Sequence, residues 1–261
     1  MSIPAAMGVT LAVLLVYMTL VWVLSLVRHD ASVVDPFWGL GFIVATVAYL
    51  LLTDGRLGRA LLVLGLTCAW GLRLAIHLFI RNRGKGEDPR YRAMRANRPG
   101  SFWWYSYAQV FVLQAILLWL VAVPLAAAEG GAEPAGFVAL DYVGLGVWLV
   151  GFLFEVTGDA QLMLFKRRPE NKGKVLASGV WKYSRHPNYF GEALLWWGIW
   201  LIAAAARGYW SVYGPALITF MLLRVSGVTL LEKGLAESKP GYADYVARTS
   251  AFVPWFRKKP R

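Results

Sequence analysis

Cysteine and histidine are the scarcest reactive residues in this chain. Cys68 is the single cysteine in 261 residues, which excludes an intramolecular disulfide and any cysteine-rich metal site. The three histidines, His29, His77 and His186, stand without metal-ligand spacing, so no metal is expected. Charge is scarce too: 16% of residues are charged against 58% hydrophobic, far from a soluble average. No internal repeat is visible. No basic segment precedes the first apolar run, which is also too long for a secretory signal, so it is read as an uncleaved first helix.

Seven apolar runs are present instead, near residues 4–27, 37–53, 60–80, 102–128, 135–165, 189–206 and 208–231. Each is near the roughly 20 residues that cross a bilayer. The expected fold is therefore all-α, a single polytopic membrane domain of about seven transmembrane helices. Of 27 Lys and Arg, seven lie in 81–100, seven in 166–187 and seven from 232 onward. The positive-inside bias places these segments in the cytoplasm, the C-terminus with them and the N-terminus outside. The connection Glu129-Gly-Gly-Ala-Glu133, with no basic residue, falls opposite; Arg56 and Arg59 run against this count. The same bias accounts for much of the net charge of +12, so membrane lipids are expected as partners and no nucleic acid is.

The most informative stretch is 178–192, Ser-Gly-Val-Trp-Lys-Tyr-Ser-Arg-His-Pro-Asn-Tyr-Phe-Gly-Glu, which sets polar and basic groups against an apolar run. Pro187 suits the first turn of a helix that carries Asn188 and Glu192 on one face. A carboxylate one turn inside an apolar segment needs a partner, a cavity or a ligand. Two readings stand: a cap plus a structural Glu–Arg pair, or an amide and a carboxylate that bind a polar cofactor. Glu155 and Asp159 repeat the pattern before Lys166-Arg-Arg-Pro169, as ribose and phosphate ligands or as a salt-bridge ladder to Arg73 or Arg224. Asp35, before Pro36 at the start of the second helix, is a helix cap or a substrate group. The Trp38-Gly-Leu-Gly41 run behind it allows close approach of a backbone or a flat ligand. The glycine-relaxed loop at 81–92 suits phosphate or anionic headgroups. Phe102-Trp-Trp-Tyr105 reads as an interfacial belt. The tail from 233 onward reads as an amphipathic segment on the cytoplasmic surface or as the closure of a cofactor pocket.

Taken together, Val34-Asp-Pro-Phe-Trp-Gly-Leu-Gly-Phe42, Asn82-Arg-Gly-Lys85, residues 178–192 and Arg224, Glu232, Tyr245 and Val253-Pro-Trp255 resemble bacterial members of the steroid 5-alpha-reductase family, over nearly the whole chain. The resemblance implies NADPH as cofactor and reduction of the carbon–carbon double bond of a lipophilic enone such as a 3-oxo-4-ene steroid. It implies cofactor binding by Asn82, Lys85, Asp159, Arg167, Tyr183, Arg185, His186, Asn188, Glu192, Arg224, Glu232 and Arg248. Residues 1–100 would form mainly the substrate side and 101–261 the cofactor side, in a bacterial inner membrane with the cofactor facing the cytoplasm. Asp35 falls where the family's ketone-binding glutamate stands, with Val34 in place of its neighbouring glutamine; Trp38 and Trp70 would line the substrate, Trp70 replacing a tyrosine. Val228 and Glu232 replace a histidine and a tyrosine on the cofactor side. The expected chemistry is hydride transfer to the β-carbon of the enone, with a protonated Asp35 facing the oxygen that gains charge. The motif Arg185-His-Pro-Asn-Tyr-x-Gly-Glu192 also resembles isoprenylcysteine or phospholipid methyltransferases that use S-adenosylmethionine. A non-catalytic lipid-binding protein is the third reading.

Overall fold

A computed structural model describes residues 1–132, 134–225, 227, 228, 232 and 241–257. Glu133, part of the seventh apolar run and parts of the tail lie outside the described residues. Among the described residues there is no strand, only one isolated parallel bridge between Ser184 and Ser250. Five segments are long and apolar enough to cross a membrane: Ile3–Arg28, Ala31–Leu52, Leu57–Asn82, Phe102–Val121 and Ala139–Arg167. This all-helical architecture is consistent with a polytopic membrane protein.

The first compact unit comprises Met1–Val138 and Ile202–Ser211. Its helices are α1 (Ile3–Arg28), α2 (Val34–Leu52), α3 (Leu57–Asn82), α4 (Pro89–Ala96), α5 (Phe102–Ser106), α6 (Leu113–Val121) and α7 (Val123–Gly130). Pro4 sits in the first turn of α1, where its missing N–H is harmless. The chain leaves α1 through His29 in the left-handed region, φ 52°. A short 3-10 turn follows, capped by Asp30, whose carboxylate accepts from the Ser32 N–H at 2.8 Å. Helices α2 and α3 cross backbone to backbone: a Cβ on Gly39 would lie 2.8 Å from the Gly71 carbonyl oxygen, and one on Gly71 2.6 Å from that of Gly39. A Cβ on Gly41 would strike Leu118 of α6. The Trp-Gly-Leu-Gly run thus serves helix packing, the first of the two uses its sequence allowed.

Helix α7 is buried from Val123 to Glu129. Glu129, which the sequence places in a connection, belongs to its last turn and is 1% exposed. Neighbouring glycines make room for the helix that far: Gly55 approaches the Glu129 carbonyl too closely for any Cβ, and one on Gly208 would lie 2.6 Å from the Ala127 Cβ.

The second unit comprises Ala139–Leu201 and Val212–Arg261. Its described helices are α8 (Ala139–Arg167), most of α9 (Pro187–Ala205), α10 (Tyr213–Phe220) and α11 (Tyr242–Arg248). Glycines seven residues apart, Gly144, Gly151 and Gly158 on α8 and Gly191 and Gly198 on α9, form the seam between these helices. A Cβ on Gly151 would lie 2.5 Å from the Leu195 nitrogen, and one on Gly198 2.6 Å from that of Trp148. Small residues at this period let two apolar helices interlock at backbone distance.

Candidate functional site

In the second unit, the entrance of α9 is moulded onto the last turns of α8. Gly179 takes φ +59° directly against the Gln161 side chain, so a left-handed residue without Cβ is required there. Gln161 Oε1 accepts from the Val180 N–H at 3.0 Å, and Trp181 Nε1 donates to the Gly158 carbonyl at 3.1 Å. Pro187 then opens α9. Asn188 Nδ2 donates to Asp159 Oδ1 at 3.1 Å. Gly158 makes room for this: a Cβ there would lie 3.0 Å from the Asn188 nitrogen. The amide of α9 thus meets Asp159 of α8, a partner from another helix, rather than Glu192 on its own face. Glu192 stands one turn further on, half-buried, and Glu155, one turn before Asp159, is buried.

The segment between Trp181 and His186 is strapped by the C-terminal tail. The Tyr245 hydroxyl donates to the Trp181 carbonyl at 2.6 Å, Ser184 Oγ to that of Phe252 at 2.7 Å, and the Trp255 N–H to that of Tyr183 at 2.9 Å. Arg185 pairs with Glu232 through two parallel bonds, Nε to Oε1 at 2.7 Å and Nη2 to Oε2 at 3.0 Å. Its Nη1 also donates to the carbonyls of Val246 and Thr249 at 3.1 and 2.7 Å. His186 Nε2 lies 3.1 Å from Glu232 Oε1, and its ring stacks on Tyr189. Burial pulls the His186 imidazole below its ordinary range despite the Glu232 charge. Burial alone would raise Glu232, but Arg185 and His186 together hold its carboxyl low. Burial pushes Tyr242 up to about 12 and raises Tyr245. The hydroxyls of Tyr242 and Thr249 are buried with no hydrogen-bond partner among the described residues.

In the first unit, Asp35 sits in the first turn of α2 and caps nothing, since the N-cap is Val33. Its Oδ1 accepts from the Tyr91 hydroxyl at 3.2 Å, and its Oδ2 lies 3.7 Å from Arg90 Nη2. Both partners come from α4, which Asp88 caps by accepting from the Arg90 N–H at 3.0 Å. Helix α4 is moored to the start of α2 by two bonds, Ala31 N–H to Glu87 Oε1 at 2.9 Å and Asp88 N–H to Ser32 Oγ at 2.8 Å. Burial, reinforced by the Asp35 charge, raises the Tyr91 phenol. Burial works against ionising Glu87, yet hydrogen bonds from Arg95 and the Ala31 N–H keep it low. Trp38 meets Phe42 edge-on at 5.3 Å, and Phe42 meets Trp70 at 5.4 Å, so the two expected substrate tryptophans belong to one aromatic row; Trp70 is buried, 1% exposed.

The structure thus joins Asp159 to Asn188, and Arg185 and His186 to Glu232. It leaves Arg167 exposed in the last turn of α8, Arg224 exposed in the π-helical stretch Met221–Val225, Tyr183 39% exposed and Arg248 half-buried at the end of α11. Asn82 and Lys85 lie in the first unit at the end of α3: the Lys85 N–H donates to the Asn82 carbonyl, and Asn82 Oδ1 accepts from Arg81 Nε at 3.1 Å. Sequence reasoning missed Tyr91, whose partner is 56 residues away and leaves no local signal. It also missed the seven-residue glycine spacing, which was visible.

Comparison with known proteins adds family context. The chain is 25% identical to an uncharacterized protein of Schizosaccharomyces pombe over 96% of its length, spanning 80% of that relative. It is 32% identical to human 3-oxo-5-alpha-steroid 4-dehydrogenase 1 over 33% of the chain, spanning 30% of that protein. It is 26% identical to a probable O-methyltransferase of Ustilaginoidea virens over 56% of the chain, spanning 48% of the relative. No solved structure matches. The family match covers residues 21–249, and the chain belongs to the family described as "Protein of unknown function (DUF1295)".

Proposed function

We propose that the chain is an NADPH-dependent membrane reductase of the carbon–carbon double bond of a lipophilic enone, with 3-oxo-4-ene steroids as the leading substrate class. The observation that carries this reading is the meeting of Asn188 with Asp159 at the glycine-lined entrance of α9, together with the stretch similar to human 3-oxo-5-alpha-steroid 4-dehydrogenase 1. In the proposed topology α9 and the run at 208–231 complete seven spans, with the N-terminus outside and the cofactor approached from the cytoplasm of a bacterial cell. The second unit offers groups for a polar, anionic cofactor: the buried hydroxyls of Tyr242 and Thr249 lack partners among the described residues, and Arg167, eight residues after Asp159, is exposed. Asn188, Asp159, Glu192 and Tyr183 would hold it, with Arg167, Arg224 and Arg248 as cations for its phosphates. Bound NADPH would supply the hydride.

Arg185 and His186 share Glu232, and Arg185 also holds the tail carbonyls of Val246 and Thr249, so these residues act here by holding the entrance of α9 in shape. Asp35, protonated and accepting from the Tyr91 hydroxyl, would donate its own O–H to the ketone oxygen of the substrate and so stabilise the charge that develops there. Asn82 and Lys85 keep their proposed part in cofactor binding.

The test is a titration of the purified protein with NADPH, NADH and S-adenosylmethionine. NADPH should bind tightest, since each charge-assisted contact to the extra phosphate contributes about 1.5–3 kcal/mol. Equal binding of NADH removes the NADPH assignment. Selective binding of S-adenosylmethionine establishes the second reading, a methyltransferase, which the similarity to the probable O-methyltransferase favours.

A further inference from the structure

The end of the first unit where α1 and α3 finish and α2 begins is strongly basic, and its acids are used up internally. Asp30 caps the 3-10 turn, Asp35 takes Tyr91 and lies beside Arg90, Glu87 takes Arg95 at 2.7 Å, and Asp88 takes Arg90 at 2.9 Å. Arg28, Arg83, Arg92 and Arg98 remain exposed, with no carboxylate within ion-pair distance among the described residues; Arg92 Nη2 donates to the Glu87 carbonyl at 2.8 Å, and its charge helps Arg95 keep the Glu87 carboxyl low. Arg98 is held over the Tyr105 ring, 4.3 Å from its centroid, which orients a guanidinium without neutralising it. Helix α4 buries only Tyr91. Directly after it, Trp103 and Trp104 are 56% and 50% exposed at the start of the apolar span Phe102–Val121. Exposed tryptophans at the end of a span mark headgroup depth, which is where lipid phosphates lie.

We infer that α4 and its flanks form a docking surface for anionic phospholipid headgroups, with Arg92 and Arg98 as its phosphate-binding cations. Charge complementarity selects the partner, since a zwitterionic headgroup offers no net charge to offset these four arginines. Neither Arg92 nor Arg98 belongs to the proposed catalytic or cofactor groups, so the surface is testable apart from activity.

The experiment compares parent protein and the Arg92→Gln/Arg98→Gln variant in nanodiscs of phosphatidylcholine with and without phosphatidylglycerol, reading Tm and, by native mass spectrometry, retained lipid. The parent should retain phosphatidylglycerol preferentially and melt higher in its presence. The variant should lose that preference by about tenfold or more while its Tm in phosphatidylcholine stays nearly unchanged. If the double variant fails to fold, the single variants and a salt titration of the parent decide: the preference must shrink in each single variant and fade as salt screens it. Equal phosphatidylglycerol retention in parent and variants overturns the inference. So does a preference that survives high salt, or displacement of the lipid by NADPH, which would make these arginines part of the cofactor site.

Discussion

Arg185 holds Glu232, 47 positions away in sequence, in a two-pronged ion pair at 2.7 and 3.0 Å, and the Arg185 side chain is only 9% exposed. Removing one member leaves the other charge without its partner. Arg185→Gln should lower stability by about 3 kcal/mol in the absence of any nucleotide, and Arg185→Lys should rescue only part, since an ammonium cannot span both oxygens. Melting of detergent-extracted protein measures this. An unchanged Tm with weakened NADPH binding would instead make Arg185 a direct cofactor ligand.

Glu129 carries the clearest pH dependence. Burial pushes its carboxyl up from 4.5 to about 9, and neither oxygen has a hydrogen-bond partner among the described residues. A group whose folded pKa is raised contributes fully below its unfolded value and loses that contribution as pH rises toward the folded one. Stability should therefore decline between pH 4.5 and about 9. Glu129→Gln, which cannot ionise, should flatten that decline and melt above the parent at pH 8. Parallel pH profiles for parent and variant would show that Glu129 is solvated or paired.

The α8–α9 seam makes a contrast between two alanines. Gly151→Ala places a Cβ 2.5 Å from the Leu195 nitrogen and 2.7 Å from the Gly191 carbonyl oxygen. Backbone cannot yield cheaply, so a loss of about 1–3 kcal/mol or more is expected. Gly146→Ala, on the same helix with nothing within 4 Å, should gain about 0.5–1 kcal/mol from helix propensity. Melting temperatures of the two variants check the seam directly.

For Asp35, the catalytic proposal requires Asp35→Ala to cut turnover of a 3-oxo-4-ene steroid by ~10²-fold or more, the scale of losing one oxyanion donor, with NADPH affinity nearly intact. Tyr91→Phe removes the hydroxyl on Asp35 and should lower turnover by a smaller factor. Steady-state rates and cofactor titrations on the same preparations distinguish these outcomes. Parent-level turnover by Asp35→Ser would leave Asp35 only a first-turn acid that favours the helix dipole.

What could be read along the chain was whatever depends on near neighbours and on composition. Apolar runs of membrane length marked five of the spans, Pro187 marked the start of α9, and the four-residue spacing of Asn188 and Glu192 put them on one face because a helix repeats about every 3.6 residues. Tertiary structure decided everything that depends on which backbones approach. It brought Asn188 to Asp159, gave Glu232 to Arg185 and His186, laid the tail across Ser184, and set Tyr91 on Asp35. It also turned Gly39 toward Gly71 and drew Glu129 inside. The physical reason is that polar groups in an apolar interior must find partners wherever packing brings them, and packing is set by long-range fits of glycine and small side chains that, apart from the seven-residue glycine spacing of α8 and α9, no local spacing encodes.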